Sequence, residues 1–189
     1  MRSLFVGAAL GIAVLGAVTP ASPARKPKIG VFGKIDGMKF RSTGKKLQQL
    51  QLLQASYTVD TTLGFSNVTL LASELPKARG TFQNILLTCL AKATAPPWTA
   101  DCVATYSEVQ VKHRNFVQKI WLAPIALDAG GIPVGSFHVT VDSFDGAIVR
   151  GHFSGSFASS QLCSPITVCA EASDLGSVSG EGTFTLPAS

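Results

Sequence analysis

Apolar and polar residues alternate through most of this chain in short runs separated by turn signals, the pattern of strands with one buried face. Val31–Ile35 and Met38–Ser42 flank Asp36-Gly37, a dipeptide favoured in tight hairpin loops. Phe65–Ala72, Gly80–Leu90, Cys102–Val111, Phe116–Leu122, Phe137–Ser143, Ala147–Phe157 and Gly176–Leu186 read as further strands, with a clear turn at Asp128–Pro133. In Lys45–Gln54, Leu47, Leu50 and Leu53 recur at helical spacing, but the following Ala55–Asp60 has strand character. A long strand is expected there, with a helical turn as the alternative. Nine or ten short strands and little helix predict an all-β, antiparallel sandwich or partly open barrel.

One hairpin can be read more closely. Phe137, Val139 and Val141 alternate with His138, Thr140 and Asp142; Val149, Gly151, Phe153 and Phe157 alternate with Ile148, Arg150, His152 and Ser154. A two-residue loop at Asp145-Gly146 would mismatch the apolar faces, whereas a three-residue loop, Phe144-Asp145-Gly146, aligns them. That register sets Val141 against Val149, Thr140 against Arg150, and His138 against His152, with the two imidazoles on the outer face. Directly opposed residues have Cβ atoms ~5 Å apart. His138 and His152 are therefore a candidate transition-metal pair, although a firm zinc site needs three or four ligands and a plain polar face explains them as well.

A Gly-x-Phe unit recurs at Gly80-Thr81-Phe82, Gly151-His152-Phe153 and Gly182-Thr183-Phe184. It suggests local bulging, or an aromatic ring lying over bare backbone. No fixed period connects the three, so a shared strand habit explains them better than an internal repeat.

The first 24 residues differ from the rest. A positive start, an apolar run from Leu4 to Val18 and a small-residue segment ending at Ala24 form the layout of a secretory signal peptide. The expected organisation is a signal peptide over 1–24 cut after Ala21 or Ala24, a basic leader over 25–30, and one β domain over 31–189. Four cysteines suit an oxidising compartment. Each sequential pair flanks a turn, so Cys89–Cys102 and Cys163–Cys169 are the expected disulfides. Charged residues make up 14% of the chain, too few for a disordered polymer, and the formal charge is +5. Eight of the basic residues fall between Arg25 and Lys46, with Asp36 the only acid among them. Such a segment either touches anionic lipid or polyanions, or is simply solvated. Nucleic acid is not an expected partner, and no integral membrane segment is expected after signal cleavage.

Gly33-Lys34-Ile35-Asp36-Gly37-Met38-Lys39-Phe40 and Asp145–Phe157 resemble hairpins of uncharacterised exported bacterial β-sandwich domains, many of them lipoproteins. The resemblance implies a sandwich-like fold and an envelope or secreted location, and it transfers no catalytic residue. The lipid-attachment cysteine of such lipoproteins is missing, since the first cysteine is Cys89.

No metalloprotease, nucleophile-elbow or phosphate-loop motif is present, and the acids do not cluster. The expected function is a non-catalytic secreted or envelope protein that binds a glycan, a lipid surface or an envelope protein, without a cofactor. A small secreted hydrolase and a structural or adhesive surface protein are the alternatives. The candidate binding residues are Trp98, His138, Arg150 and His152. Trp98 follows Pro96-Pro97, where it either stacks on a sugar from an exposed loop or plugs the end of the fold beside the first disulfide.

Overall fold

The structure is a computed structural model that describes residues 27–75, 80–112, 115–123, 125–127, 133–163, 169–171 and 175–188. The proposed signal peptide and the first two residues of the leader lie outside these residues. Ten strands follow the expected pattern: β1 (Gly30–Ile35), β2 (Met38–Thr43), β3 (Leu53–Asp60), β4 (Phe65–Ser73), β5 (Gly80–Ala91), β6 (Trp98–Lys112), β7 (Asn115–Leu122), β10 (Phe137–Phe144), β11 (Ile148–Phe157) and β14 (Val178–Pro187). Four short strands were not foreseen: β8 (Ile125–Leu127), β9 (Pro133–Gly135), β12 (Ser159–Cys163) and β13 (Cys169–Glu171). The fold is all-β, a strongly curled, open half-barrel of antiparallel strands. No helix among the described residues is long and apolar enough to cross a membrane.

Strand β6 is the pivot. One edge pairs with β5 from Cys102 to Val111. The other edge is shared: Trp98–Asp101 pairs with β10, and Thr105–Lys112 pairs with β7. From β10 the sheet continues through β11, β14 and β1 to β2. From β5 it continues through β4 to β3. The curl brings these two arms together at points, through a parallel bridge between Ala55 and Ala188 and a hydrogen bond from Ser42 Oγ to the Ser73 carbonyl. The inward residues of all these strands, with Phe40, Tyr106, Phe137, Phe153, Phe157 and Phe184 among the bulkiest, form one buried cluster.

Asp36 and Gly37 both take positive φ (51° and 73°), as the expected tight hairpin requires. The stretch after β2 departs from the expected long strand. Lys45–Gln49 is a helical turn, α1, and β3 begins only at Leu53. Gly44 breaks the strand at φ 109°, Lys-Lys-Leu-Gln-Gln favours helix, and Gln51 at φ 56° ends it. Leu47 and Leu53 are buried but Leu50 is exposed, so the three leucines do not form one helical face.

The Gly-x-Phe units of β11 and β14 interlock. Their antiparallel register sets Gly151 opposite Phe184 and Phe153 opposite Gly182. A Cβ added at Gly151 would lie 2.5 Å from Phe184 Cζ and 2.1 Å from the Thr140 carbonyl oxygen. At Gly182 it would lie 2.6 Å from Phe153 Cζ and 2.5 Å from the Phe32 carbonyl oxygen. Gly155 and Phe137, opposed across β10 and β11, repeat the arrangement. Each ring thus lies over the bare backbone of the neighbouring strand, the second of the two readings the sequence offered. The third unit does not join: Phe82 is opposite Val109, at the far end of β5.

Cys89 and Cys102 are opposed across β5 and β6 and form a buried disulfide, Cα–Cα 4.4 Å. Closing a loop of this size is worth about 3 kcal/mol in the chain-entropy account. Cys163 and Cys169 occupy opposed positions of β12 and β13. Their side chains, and with them the second expected bridge, lie outside the described residues.

Gly180 supplies an internal control for the interlock, because a Cβ there would meet nothing closer than 3.4 Å. Gly151→Ala and Gly182→Ala should each destabilise the fold by about 1–3 kcal/mol in denaturant unfolding. Gly180→Ala should be neutral or slightly stabilising. Equal stability of all three variants would contradict the interlock.

Candidate functional site

Because β10, β11, β14 and β1 send their odd–even partners to opposite faces, the outer face of this arm can be read as cross-strand rows. One row runs Arg41, Phe32, Thr183, His152, Thr140 and Thr99 across β2, β1, β14, β11, β10 and β6. The next runs Lys39, Lys34, Glu181, Ser154, His138 and Asp101. Both rows are basic at β2. The second ends on an acid at β6.

His138 and His152 do share the outer face, but they are not opposed. His138 is opposite Ser154, and His152 is opposite Thr140. Arg150 is opposite Ser143 rather than Thr140, and Val141 is opposite Gly151 rather than Val149. The cause is a β-bulge at Asp142, between Val141 and Ser143. The hairpin closes tightly, with the Asp145 amide donating to the Ile148 carbonyl (3.3 Å), and the extra residue in β10 realigns the apolar faces. A bulge therefore does the work that the sequence reading assigned to a three-residue loop. Parity, and so the choice of face, is unchanged by a two-residue slip.

Each histidine has its own acid. His138 Nδ1 hydrogen-bonds Asp101 Oδ1 (2.5 Å), while Asp101 Oδ2 accepts the Gly135 amide (3.0 Å). His152 Nδ1 lies 3.3 Å from Asp142 Oδ1, an acid that the bulge presents. Thr99 and Thr140 share a hydroxyl hydrogen bond of 2.8 Å between the two pairs. No group of three or more metal-ligating side chains gathers among the described residues. Asp101, His138 and Ser154 stand in line on three adjacent strands, but Ser154 makes no side-chain hydrogen bond to the imidazole.

Arg150 is held by the turn. Its guanidinium donates to Asp145 Oδ2 (3.1 Å), while Asp145 Oδ1 accepts the amides of Ala147 and Ile148. These amides, with Arg150, hold the Asp145 carboxyl below its usual pKa. Trp98 does not stand on the surface. It opens β6, is 7% exposed, and donates its indole N–H to the Tyr57 hydroxyl (3.3 Å). It stacks on Tyr57, whose ring also meets Phe144, so Trp98 is a buried packing residue and not an exposed loop residue. Trp121 is buried against Tyr106, whose hydroxyl donates to Glu108. Burial and that carboxylate push the Tyr106 pKa up.

The site that sequence reasoning missed lies at the basic end of the rows. A groove of about 690 Å³ crosses the outer face of β2, β1, β14 and β11. It lies over Gly33 and Gly182, opposed glycines whose backbones approach so closely that a Cβ on Gly182 would sit 3.0 Å from Gly33 Cα. The half-buried ring of Phe32 forms one wall, with Lys28 Nζ 4.8 Å from its centroid. Lys34, Lys39 and Arg41 line the β1–β2 side, and His152, Ser154, Glu181 and Thr183 the β11–β14 side. None of the three cations makes an ion pair with a described carboxylate. The clustered basic residues were visible in the sequence; their convergence with residues more than a hundred positions away was not.

In comparisons with known proteins, no family model, curated protein or solved structure matches the chain.

Two outcomes follow from this geometry. Zinc or copper should bind alike to the wild type and to the His138→Ala, His152→Ala double variant in a calorimetric titration; binding that the double variant loses would show a shared metal site. Asp145 has a lowered folded-state pKa, so its stabilisation is complete above its unfolded value and is lost as pH falls through the folded one. Asp145→Ala should therefore melt below the wild type at neutral pH, with the gap closing in strong acid. A gap of unchanged size in strong acid would contradict the role of the carboxylate.

Proposed function

We propose that this chain is a non-catalytic secreted or envelope protein that binds a ligand in the groove over Gly33 and Gly182. The observation that carries the reading is the groove itself, whose one wall holds an aromatic ring and three cations without ion-pair partners. Open, shallow hollows with a ring, fixed charges and hydroxyls suit recognition of a ligand at a surface. The signal-like N-terminus supports export, and the Cys89–Cys102 disulfide fits an oxidising compartment. The polar hydrogen-bonded rows beyond the groove give the binding face a rigid base, because each histidine is tied to an acid from a neighbouring strand.

A thermal-shift screen over glycans, lipid headgroups, vesicles and metals tests this reading. A ligand at about a hundred times its Kd stabilises by about 2.7 kcal/mol. In a domain of this size that raises Tm by roughly 5–10 °C. Thr183→Trp, which fills the groove from an exposed strand position, should abolish the rise. A ligand whose effect survives this variant, or turnover of a screened compound, would contradict the proposal.

A further inference from the structure

We infer that the ligand of this groove is an acidic polysaccharide, bound with its carboxylate or sulfate groups toward Lys34, Lys39 and Arg41 and a sugar ring against Phe32. The inference rests on the binding reading above and adds the chemical class.

Lys34 and Lys39 are directly opposed across β1 and β2. Like charges placed directly opposite each other destabilise a sheet. Arg41 follows two residues along β2 on the same face and is itself opposite Phe32. Three cations and one aromatic ring thus occupy a single square of the outer face, about 5 Å across the strands and about 7 Å along them. Among the described residues no carboxylate is within ion-pair distance of these three cations. Glu181 is opposite Lys34 on β14, yet the two form no ion pair. A repulsive arrangement of this kind is relieved when an anion lies across it.

The rest of the groove specifies more than a small anion. Its opposite side offers the hydroxyls of Thr183 and Ser154, the His152 imidazole and the Glu181 carboxylate, a set that matches sugar hydroxyls. Phe32 adds an apolar ring of the kind that packs on the C–H face of a sugar, and Lys28 Nζ, 4.8 Å from its centroid, adds a fourth cation beside it. The groove is open along the surface, so a chain can enter from the side and continue past it. Phe32 is half-buried in the wall rather than standing on a crest, which favours a chain lying in the groove over insertion into a bilayer.

The test measures binding of the purified protein to polygalacturonate and heparin by isothermal titration. Neutral dextran and vesicles of phosphatidylglycerol and phosphatidylcholine are run in parallel. The expected result is binding of at least one acidic polysaccharide that weakens with added salt, and no binding of dextran. Lys39→Ala with Arg41→Ala should weaken it by about tenfold or more, as should Phe32→Ala. Lys92→Ala, which removes an exposed charge elsewhere, should leave it within about twofold. Far-ultraviolet circular dichroism establishes that the variants are folded. Acidic polysaccharide binding that is indifferent to the groove variants overturns the inference. If only vesicles bind, and the same variants lose that binding, the groove stands as a binding site and the polysaccharide is wrong. If no probe binds, both fall.

Discussion

The reciprocal packing of Phe153 on Gly182 and Phe184 on Gly151 sets the geometry of the arm formed by β10, β11, β14 and β1. Each phenylalanine is buried to within 2% of completely. Burying such a ring contributes about 1.5–3 kcal/mol, against the roughly 0.5–1 kcal/mol that a glycine costs in a strand. The exchange is favourable only where the ring covers the glycine that would otherwise leave a gap. Four adjacent strands share it, since Gly155 carries Phe137 on one flank and Gly33 meets Gly182 on the other. With side chains removed from the inner surface at these points, β1, β14 and β11 close up and the sheet curls.

The same closeness shapes the outer surface. The groove lies outside the Gly33–Gly182 pair, where the backbones approach most tightly. The inner interlock and the outer hollow are thus two sides of one arrangement. The two rows of outward residues inherit their spacing from it, and the β1–β2 hairpin then brings its cations to the rim. At the other end of the rows, Asp101 and Asp142 hold the histidines, and Asp145 caps the turn that holds Arg150. The histidines and Arg150 have ion-pair partners at that end, whereas Lys34, Lys39 and Arg41 have none among the described residues, which makes the groove the better candidate for a ligand.

Much of this was legible in the residues. Alternation placed ten strands, and the Gly-x-Phe units offered rings over bare backbone as one of two readings, local bulging being the other. Outward placement of His138 and His152 followed from parity alone, which survives any slip of two residues. Their partners did not, because a bulge at Asp142 is a tertiary adjustment with no composition of its own. Trp98 was ambiguous for a similar reason: a residue after Pro-Pro can open a strand or cap a loop, and only the arrival of Tyr57 from β3 decides. The groove was out of reach, since it needs the pairing of β1 with β14, and alternation says nothing about strand order. The Cys89–Cys102 bridge was accessible because it is local.

The most direct test of the claim that the glycine-lined hollow is the binding surface is a map of backbone amide shifts as a galacturonic acid oligosaccharide is titrated into ¹⁵N-labelled protein. The shifts should concentrate at Phe32, Gly33, Lys34, Lys39, Arg41, Gly182 and Thr183, with little movement at Asp101, His138 and Asp145 on the same face. Shifts centred on the histidine end, or spread over the β4–β5 surface with the groove unmoved, would contradict the account.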